Sequence, residues 1–209
     1  MRRFVTVLWC PPGGSSVAAR GYSIFDTAIG RCGIAWSHAG VVGVQLPEAR
    51  EIETRKRLFR LYPDAREQRP PPDVEIAIEG ITALLRGEPN DLADVALDLD
   101  GIPAFHARVY AFTRRIPRGE TITYGEIAAK LRLSGAVHSV AQALARNPFV
   151  IIVPCHRVLE AGGYADRISP YGGVISKRRL LSIEGARGTT TSKTLFDVLL
   201  PVAPPRPQG

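Results

Sequence analysis

The run Ile151-Ile152-Val153-Pro154-Cys155-His156-Arg157-Val158 constrains this chain more than any other. A continuous apolar segment reads as a buried strand, and it delivers a cysteine with a histidine beside it. Proline cannot donate to a sheet ladder, so the strand is expected to stop or turn at Cys155. A thiol at a strand end beside an imidazole is one of the few nucleophiles that need no cofactor. The thiolate is the reactive form, and a neighbouring base lowers the thiol's pKa. The pair also has a plainer reading, because a lone cysteine after an apolar run is usually a small core residue.

Charge is distributed unevenly around that run. Residues 1–101 carry a net charge of −2, residues 102–188 carry +8 and residues 189–209 carry +1. The half that holds Cys155 therefore holds the basic excess, which points to a polyanionic partner, nucleic acid foremost. A merely solvated basic face gives the same count. The three cysteines, Cys10, Cys32 and Cys155, show no Cys-x-x-Cys spacing, and their odd number argues against a disulfide framework. The histidines at 38, 106, 138 and 156 make no metal-ligand spacing with them, so no metal site is expected. A reducing, intracellular compartment fits best. The apolar stretch after Arg2 and Arg3 is too short for a signal peptide and is broken by Pro11 and Pro12. No run approaches transmembrane length.

The 209 residues suit one large domain or two small ones. Residues 1–20 read as a flexible segment and 21–101 as a small mixed α/β domain, with strands over Gly21–Ala28, Gly33–Trp36 and Val41–Leu46. Helices are expected over 48–61, with Ile52, Leu58 and Leu61 as its apolar face, and over Ile76–Arg86 after a stop at Pro70-Pro71-Pro72. Asp94–Asp100 alternates apolar and acidic residues like a half-wet strand. A boundary falls at Gly101-Ile102-Pro103.

Residues 102–187 read as a second, largely helical domain. A helix over Phe105–Ile116 precedes two short ones, Ile127–Leu131 and Ala136–Arg146, joined by a Gly-containing turn. That pair is a helix-turn-helix candidate, with His138, Ser139, Gln142 and Arg146 exposed and small residues at Ser139 and Ala143. An ordinary helical pair has the same pattern. Asn147-Pro148 closes the helix before the strand into Cys155. Ala161-Gly162-Gly163-Tyr164 reads as a hairpin tip, and Pro170-Tyr171-Gly172-Gly173 as a second loop. Ser176–Leu181 reads as a short basic helix. Residues 188–209 are expected to form a disordered tail.

Taken together, Tyr124-Gly125-Glu126, Ala143–Pro148, Pro154–Val158, Gly172-Gly173 and Glu184-Gly185 resemble the methylated-DNA–protein-cysteine methyltransferases, the O6-alkylguanine-DNA alkyltransferases. The resemblance is close over 103–187 and loose over 21–100. It implies an α/β fold of the α+β type, a small N-terminal sheet domain followed by a winged, helix-turn-helix-like domain bearing the active-site cysteine. It implies a single-turnover repair protein that flips O6-alkylguanine out of double-stranded DNA and moves the alkyl group to Cys155. No cofactor is implied, the partner is duplex DNA bound in the minor groove, and a cytoplasmic monomer, nucleoid-associated if bacterial, is expected. His156 matches the family histidine that acts on the cysteine through a water, and Glu184 matches the glutamate that orients it. Tyr124 matches the phenol that protonates the leaving guanine, and Asn147 matches the asparagine that shapes the active-site turn. Ala136, His138, Ser139, Gln142, Arg146 and Tyr124 are the implied DNA contacts. Pro154, Val158, Tyr171, Gly172 and Gly173 are the implied pocket.

Two positions depart from the family pattern. His138 stands where the family has an arginine that fills the gap left by the flipped base, and histidine is shorter and mostly neutral at pH 7. The loop before Gly172-Gly173 is altered: either Tyr171 has slipped register, or Gly163-Tyr164-Ala165 is the match and an insertion follows. Other readings compete. An alkyltransferase-like protein recognises the lesion without repairing it, but replaces the cysteine. A major-groove regulator has no need of Pro-Cys-His-Arg. A cysteine hydrolase needs a direct dyad, which adjacent residues on a strand cannot easily form. Arg157 reads as structural, pairing with a carboxylate. Arg114, Arg115, Arg118, Lys177, Arg178 and Arg179 are candidate phosphate contacts.

Overall fold

A computed structural model describes residues 19–90, 92–133, 135–161 and 177–186. The expected segments 1–20 and 188–209 fall almost wholly outside these residues, as do Tyr171, Gly172 and Gly173. Strands β1 (Gly21–Thr27) and β2 (Gly30–Trp36) form an antiparallel hairpin in which Thr27 pairs with Gly30. Gly30, at φ +124°, takes a backbone conformation that side chains disfavour. β3 (Val41–Gln45) pairs antiparallel with β2, and after helix α1 (Glu51–Leu61) the two-residue β4 (Arg66–Glu67) pairs parallel with β1. The sheet order is β3-β2-β1-β4.

Strand periodicity sorts β2 between two cores. Cys32, Ile34 and Trp36 face the main core, while Ala35 joins Val42, Leu58 and Tyr62 under α1. Glycine is required for that approach. A Cβ on Gly43 would stand 2.0 Å from the Tyr62 hydroxyl, and one on Gly33 would stand 2.3 Å from Leu58. Ile52, expected in the apolar face of α1, is exposed.

Helix α2 (Pro72–Leu85) begins earlier than its periodicity announces. Pro72 opens the helix instead of stopping it, because the first turn needs no amide donor and the ring presets φ. Ile76 lies on the outside at 65% exposure, so the helix buries Val74, Ala77, Ile81, Leu84 and Leu85. Asp94–Asp100 is not a strand. It makes one bridge, Leu97 to Val41, and Asp98 turns its carboxylate inward to the Ser37 hydroxyl at 2.5 Å. An inward acidic side chain breaks the expected alternation.

The second half supplies α3 (Ala104–Thr113), β5 (Ile122–Thr123), α4 (Tyr124–Lys130) and α5 (Val137–Ala145). A 3-10 turn at Cys155–Arg157, strand β6 (Val158–Leu159) and α6 (Lys177–Ile183) complete it. Thr123 and Glu126 form a capping box at the head of α4, which fixes Tyr124 as its first residue. β5 pairs parallel with β6, so the entry to α4 lies beside the exit from the cysteine turn. One buried cluster runs from Cys32 in β2 through Val109 and Val140 to Val153 and Leu180, joining the two halves. Among the described residues no helix is long and apolar enough to cross a membrane.

Candidate active site

The segment before Cys155 is buried, as its apolar run requires, but it is not a strand. Val150 bridges Val153 across a tight turn at Ile151-Ile152, and Ile151 sits at φ +76°. A β-branched residue in that region is strained by about 1–3 kcal/mol, a cost that tends to gather at functional sites. Asn147 holds the turn in place of a ladder. Its Nδ2 donates to the Val153 carbonyl at 2.9 Å and its Oδ1 accepts from the Phe149 amide at 2.9 Å. Asn147 is wholly buried. The Val44 amide donates to the Pro148 carbonyl at 2.8 Å, so the sheet fixes the turn from outside. Periodicity alone cannot separate a buried strand from a buried turn of the same composition.

Cys155 opens the 3-10 turn and is half-buried, with Pro154 buried before it. Burial pushes its thiol above the ordinary value, while the charge of Lys177 and a hydrogen bond from Asn147 pull it back. His156 is buried, and its Nε2 stands 2.8 Å from Glu184 Oε1. Burial depresses the imidazole below its ordinary 6.5, against the opposing pull of Glu184, so the ring is neutral at pH 7. Burial alone would raise the Glu184 carboxyl. The hydrogen bonds from His156 and Arg157 override it and hold the group at about 2. An ionised carboxylate only accepts, so Nε2 carries the imidazole proton. Nδ1 is then a lone-pair acceptor, and it is buried without a partner among the described residues.

Arg157 pairs with a carboxylate as expected, and the carboxylate is the same Glu184. Its Nε lies 3.0 Å from Oε2, its Nη2 lies 2.7 Å from Oε1, and its Nη1 donates to the Ile116 carbonyl at 2.6 Å. Glu184 is thus shared between a neutral histidine and a buried guanidinium.

Tyr124 is 5% exposed, and Lys177 Nζ donates to its hydroxyl oxygen at 2.8 Å. Ammonium has no lone pair, so the phenol oxygen accepts and its own proton stays available. Nζ also donates to the Val158 carbonyl at 3.0 Å. Val158 itself is fully buried, and among its atoms it is this backbone oxygen that serves the site. Lys177 is therefore no phosphate contact. Its helical spacing was the available signal: Lys177, Leu180 and Glu184 share one face, and that face points inward. Arg114 and Arg118 are also taken from the phosphate set. Arg114 Nη2 binds the carbonyls of Leu92, Ala93 and Val95, and Arg118 Nη2 binds those of Gly87 and Ile183. Arg115, Arg178 and Arg179 lie at the surface.

On α5, His138, Ser139, Gln142 and Arg146 are exposed as the periodicity requires, with Ala136 half-buried at its head. His138 Nε2 lies 3.0 Å from Gln142 Nε2. Ala143 is not on this face. It is fully buried, and its carbonyl accepts from the Tyr110 hydroxyl at 3.0 Å. Val137 takes the outer place instead, at 46% exposure. No group of three His, Cys, Asp or Glu side chains among the described residues is placed to hold a metal ion.

Residues 104–186 match the model of the 6-O-methylguanine DNA methyltransferase DNA-binding domain. The chain is 35% identical over 153 residues to the methylated-DNA–protein-cysteine methyltransferase of Methanothermobacter thermautotrophicus, covering 73% of this chain and 78% of that one. The chain belongs to the methylated-DNA–protein-cysteine methyltransferase family. A family member from Mycobacterium tuberculosis is 43% identical over 122 residues, or 58% of this chain and 70% of that protein. Crystal structures agree. The M. tuberculosis O6-methylguanine methyltransferase superposes with a TM-score of 0.63 at 33% identity, covering 85% of this chain and 99% of its own. The M. tuberculosis protein in complex with DNA gives 0.62 at 31% identity, covering 80% and 94%. The mixed α/β fold of this chain, a small N-terminal sheet with helices, is the fold of these structures.

Proposed function

We propose that this chain repairs alkylated duplex DNA by moving the alkyl group of an O6-alkylguanine irreversibly onto Cys155. The observation that carries the reading is the buried His156, next to Cys155 in the chain, with Nε2 held on Glu184 at 2.8 Å and the basic nitrogen Nδ1 buried and unpartnered among the described residues. The division of labour follows the chain, with residues 102–187 binding DNA and performing the chemistry. His138, Ser139, Gln142, Ala136 and Arg146 on and beside α5 present the DNA face, and the lesion base is flipped into the pocket beneath. Pro154 and Val158 frame that pocket, and Tyr171, Gly172 and Gly173 are assigned to its cover.

At rest the thiol holds its proton, because burial raises it. His156 Nδ1 takes that proton, through a water, as Sγ bonds to the alkyl carbon and the carbon–O6 bond breaks. Glu184 stabilises the imidazolium that forms. The leaving guanine anion takes the phenol proton of Tyr124, and the Lys177 ammonium at 2.8 Å stabilises the phenolate. Return of the imidazolium proton to Tyr124 balances the reaction, leaving alkyl-cysteine and guanine. No cofactor enters. Reactive Cys155 and a chromosomal substrate suit a cytoplasmic, nucleoid-associated protein.

The test is the intact mass of the protein after mixing with a short duplex carrying one O6-methylguanine. One methyl group, mapped to Cys155 and absent from Cys155→Ala, is expected. Lesion-selective binding with no mass change would replace repair by recognition alone.

A further inference from the structure

Glu184 lies just beyond the last residue of α6, in a closing turn where the amides of Glu184, Gly185 and Ala186 bond back to the carbonyls of Leu180, Ser182 and Leu181 and leave that of Ile183 to a side chain. The turn after α3 grips it twice. The Ile116 carbonyl accepts from Arg157, whose fork holds the Glu184 carboxylate. Two residues on, Arg118 Nη2 donates to the carbonyl of Ile183, the peptide immediately before Glu184, at 3.1 Å. The same nitrogen donates to the Gly87 carbonyl. Gly87 follows the C-terminus of α2, in the N-terminal half, at φ +88°. A Cβ built on it would stand 3.4 Å from the Ile183 oxygen and 3.8 Å from Arg118 Nη2. Three segments, the end of α2, the 116–119 turn and the end of α6, therefore meet at one guanidinium. A cation there also complements the negative ends of two helices.

We propose that Arg118 is a positioning residue through which the N-terminal half sets Glu184, and through it His156 and Cys155. The proposal rests on Cys155 being the alkyl acceptor. Its physical basis is leverage: the carboxylate must meet both His156 and Arg157, and the backbone that carries it lies in the closing turn of a short helix. Releasing Ile183 lets the carboxylate drift from Nε2, and a 1 Å misplacement of a catalytic group is worth up to about 100-fold in rate. The charged groups facing His156 are Glu184 and Lys177 from the α6 segment and Arg157 from its own turn. Arg118 acts on this set by placing Glu184.

The experiment measures single-turnover alkyl transfer from free O6-methylguanine base, so that DNA binding does not enter, from neutral to alkaline pH. Arg118→Gln is expected to slow transfer about tenfold near neutral pH. The deficit should shrink toward alkaline pH, where solvent base ionises the thiol and His156 is no longer needed. Arg118→Lys should restore most of the rate. Gly87→Ala, which strains the other anchor, should reproduce the deficit and covers the case in which Arg118→Gln does not fold. Affinity for undamaged duplex should be the same in every variant. Wild-type rates in Arg118→Gln would overturn the proposal. So would a deficit equal at every pH and not rescued by lysine, which marks a merely structural arginine. If the wild type transfers nothing to Cys155, from free base or duplex, the underlying reading falls and takes the proposal with it.

Discussion

Replacing Glu184 by glutamine keeps the shape of the side chain and removes one buried charge, so its effect can be worked from the structure. The carboxyl is held at about 2 against an ordinary 4.5, and its side chain is 6% exposed. At about 1.4 kcal/mol per pKa unit, that difference corresponds to about 3 kcal/mol of stability at neutral pH. A second route gives a similar figure. Glutamine leaves the Arg157 fork buried and unpaired, and breaking a buried pair in this way costs about 3–5 kcal/mol. The sign is fixed by the direction of the shift. A carboxyl depressed on folding contributes fully above its unfolded pKa, and the contribution is lost as pH falls from about 4.5 toward about 2. Urea unfolding of both proteins at a series of pH values measures it. The expected gap is about 3 kcal/mol at neutral pH, closing only below about 4.5. A gap under about 1 kcal/mol at neutral pH, or one that ignores pH through the acid range, would refute the reasoning.

Three further outcomes are expected. Asn147→Ala strands the Phe149 amide and leaves the Val153 carbonyl with only the Cys155 amide as donor in a buried turn, which should cost about 2 kcal/mol in urea unfolding and slow alkyl transfer. Lys177→Met keeps the stem but removes a charge that favours the Cys155 thiolate. The thiol should move further up, and its alkylation by iodoacetamide at neutral pH should fall several-fold, as read from a rate-against-pH curve. His138→Arg should raise the rate of transfer from duplex DNA while leaving transfer from free O6-methylguanine unchanged. Equal duplex rates would mean that histidine wedges the helix as well as arginine does.

The α/β composition, the hairpin, most of the helices and the exposed face of α5 were legible because they follow from period and punctuation. Cys155 and His156 stood out because they sit side by side after an apolar run, whereas the roles of Glu184, Tyr124 and Asn147 came from the family resemblance. What misled was local chemistry with two outcomes. Three prolines read as a stop, yet Pro72 begins a helix. An acidic alternation read as a strand, yet Asp98 turns inward to Ser37. An apolar run read as a strand, yet Asn147 supplies the bonds that let it turn.

The sequence by itself determined which groups are available: a thiol, an imidazole, a carboxylate and a phenol, on a basic half beside a helix pair. Tertiary structure alone decided how they are wired. Arg157 and His156 are neighbours in the chain, but only the fold brings both to Glu184, 28 residues beyond the histidine. Lys177 and Arg118 carry the same formal charge as any surface base. Burial made one a donor to Tyr124 and the other a tie between the two halves, because a cation removed from water must find oxygens, and the packing decided which ones.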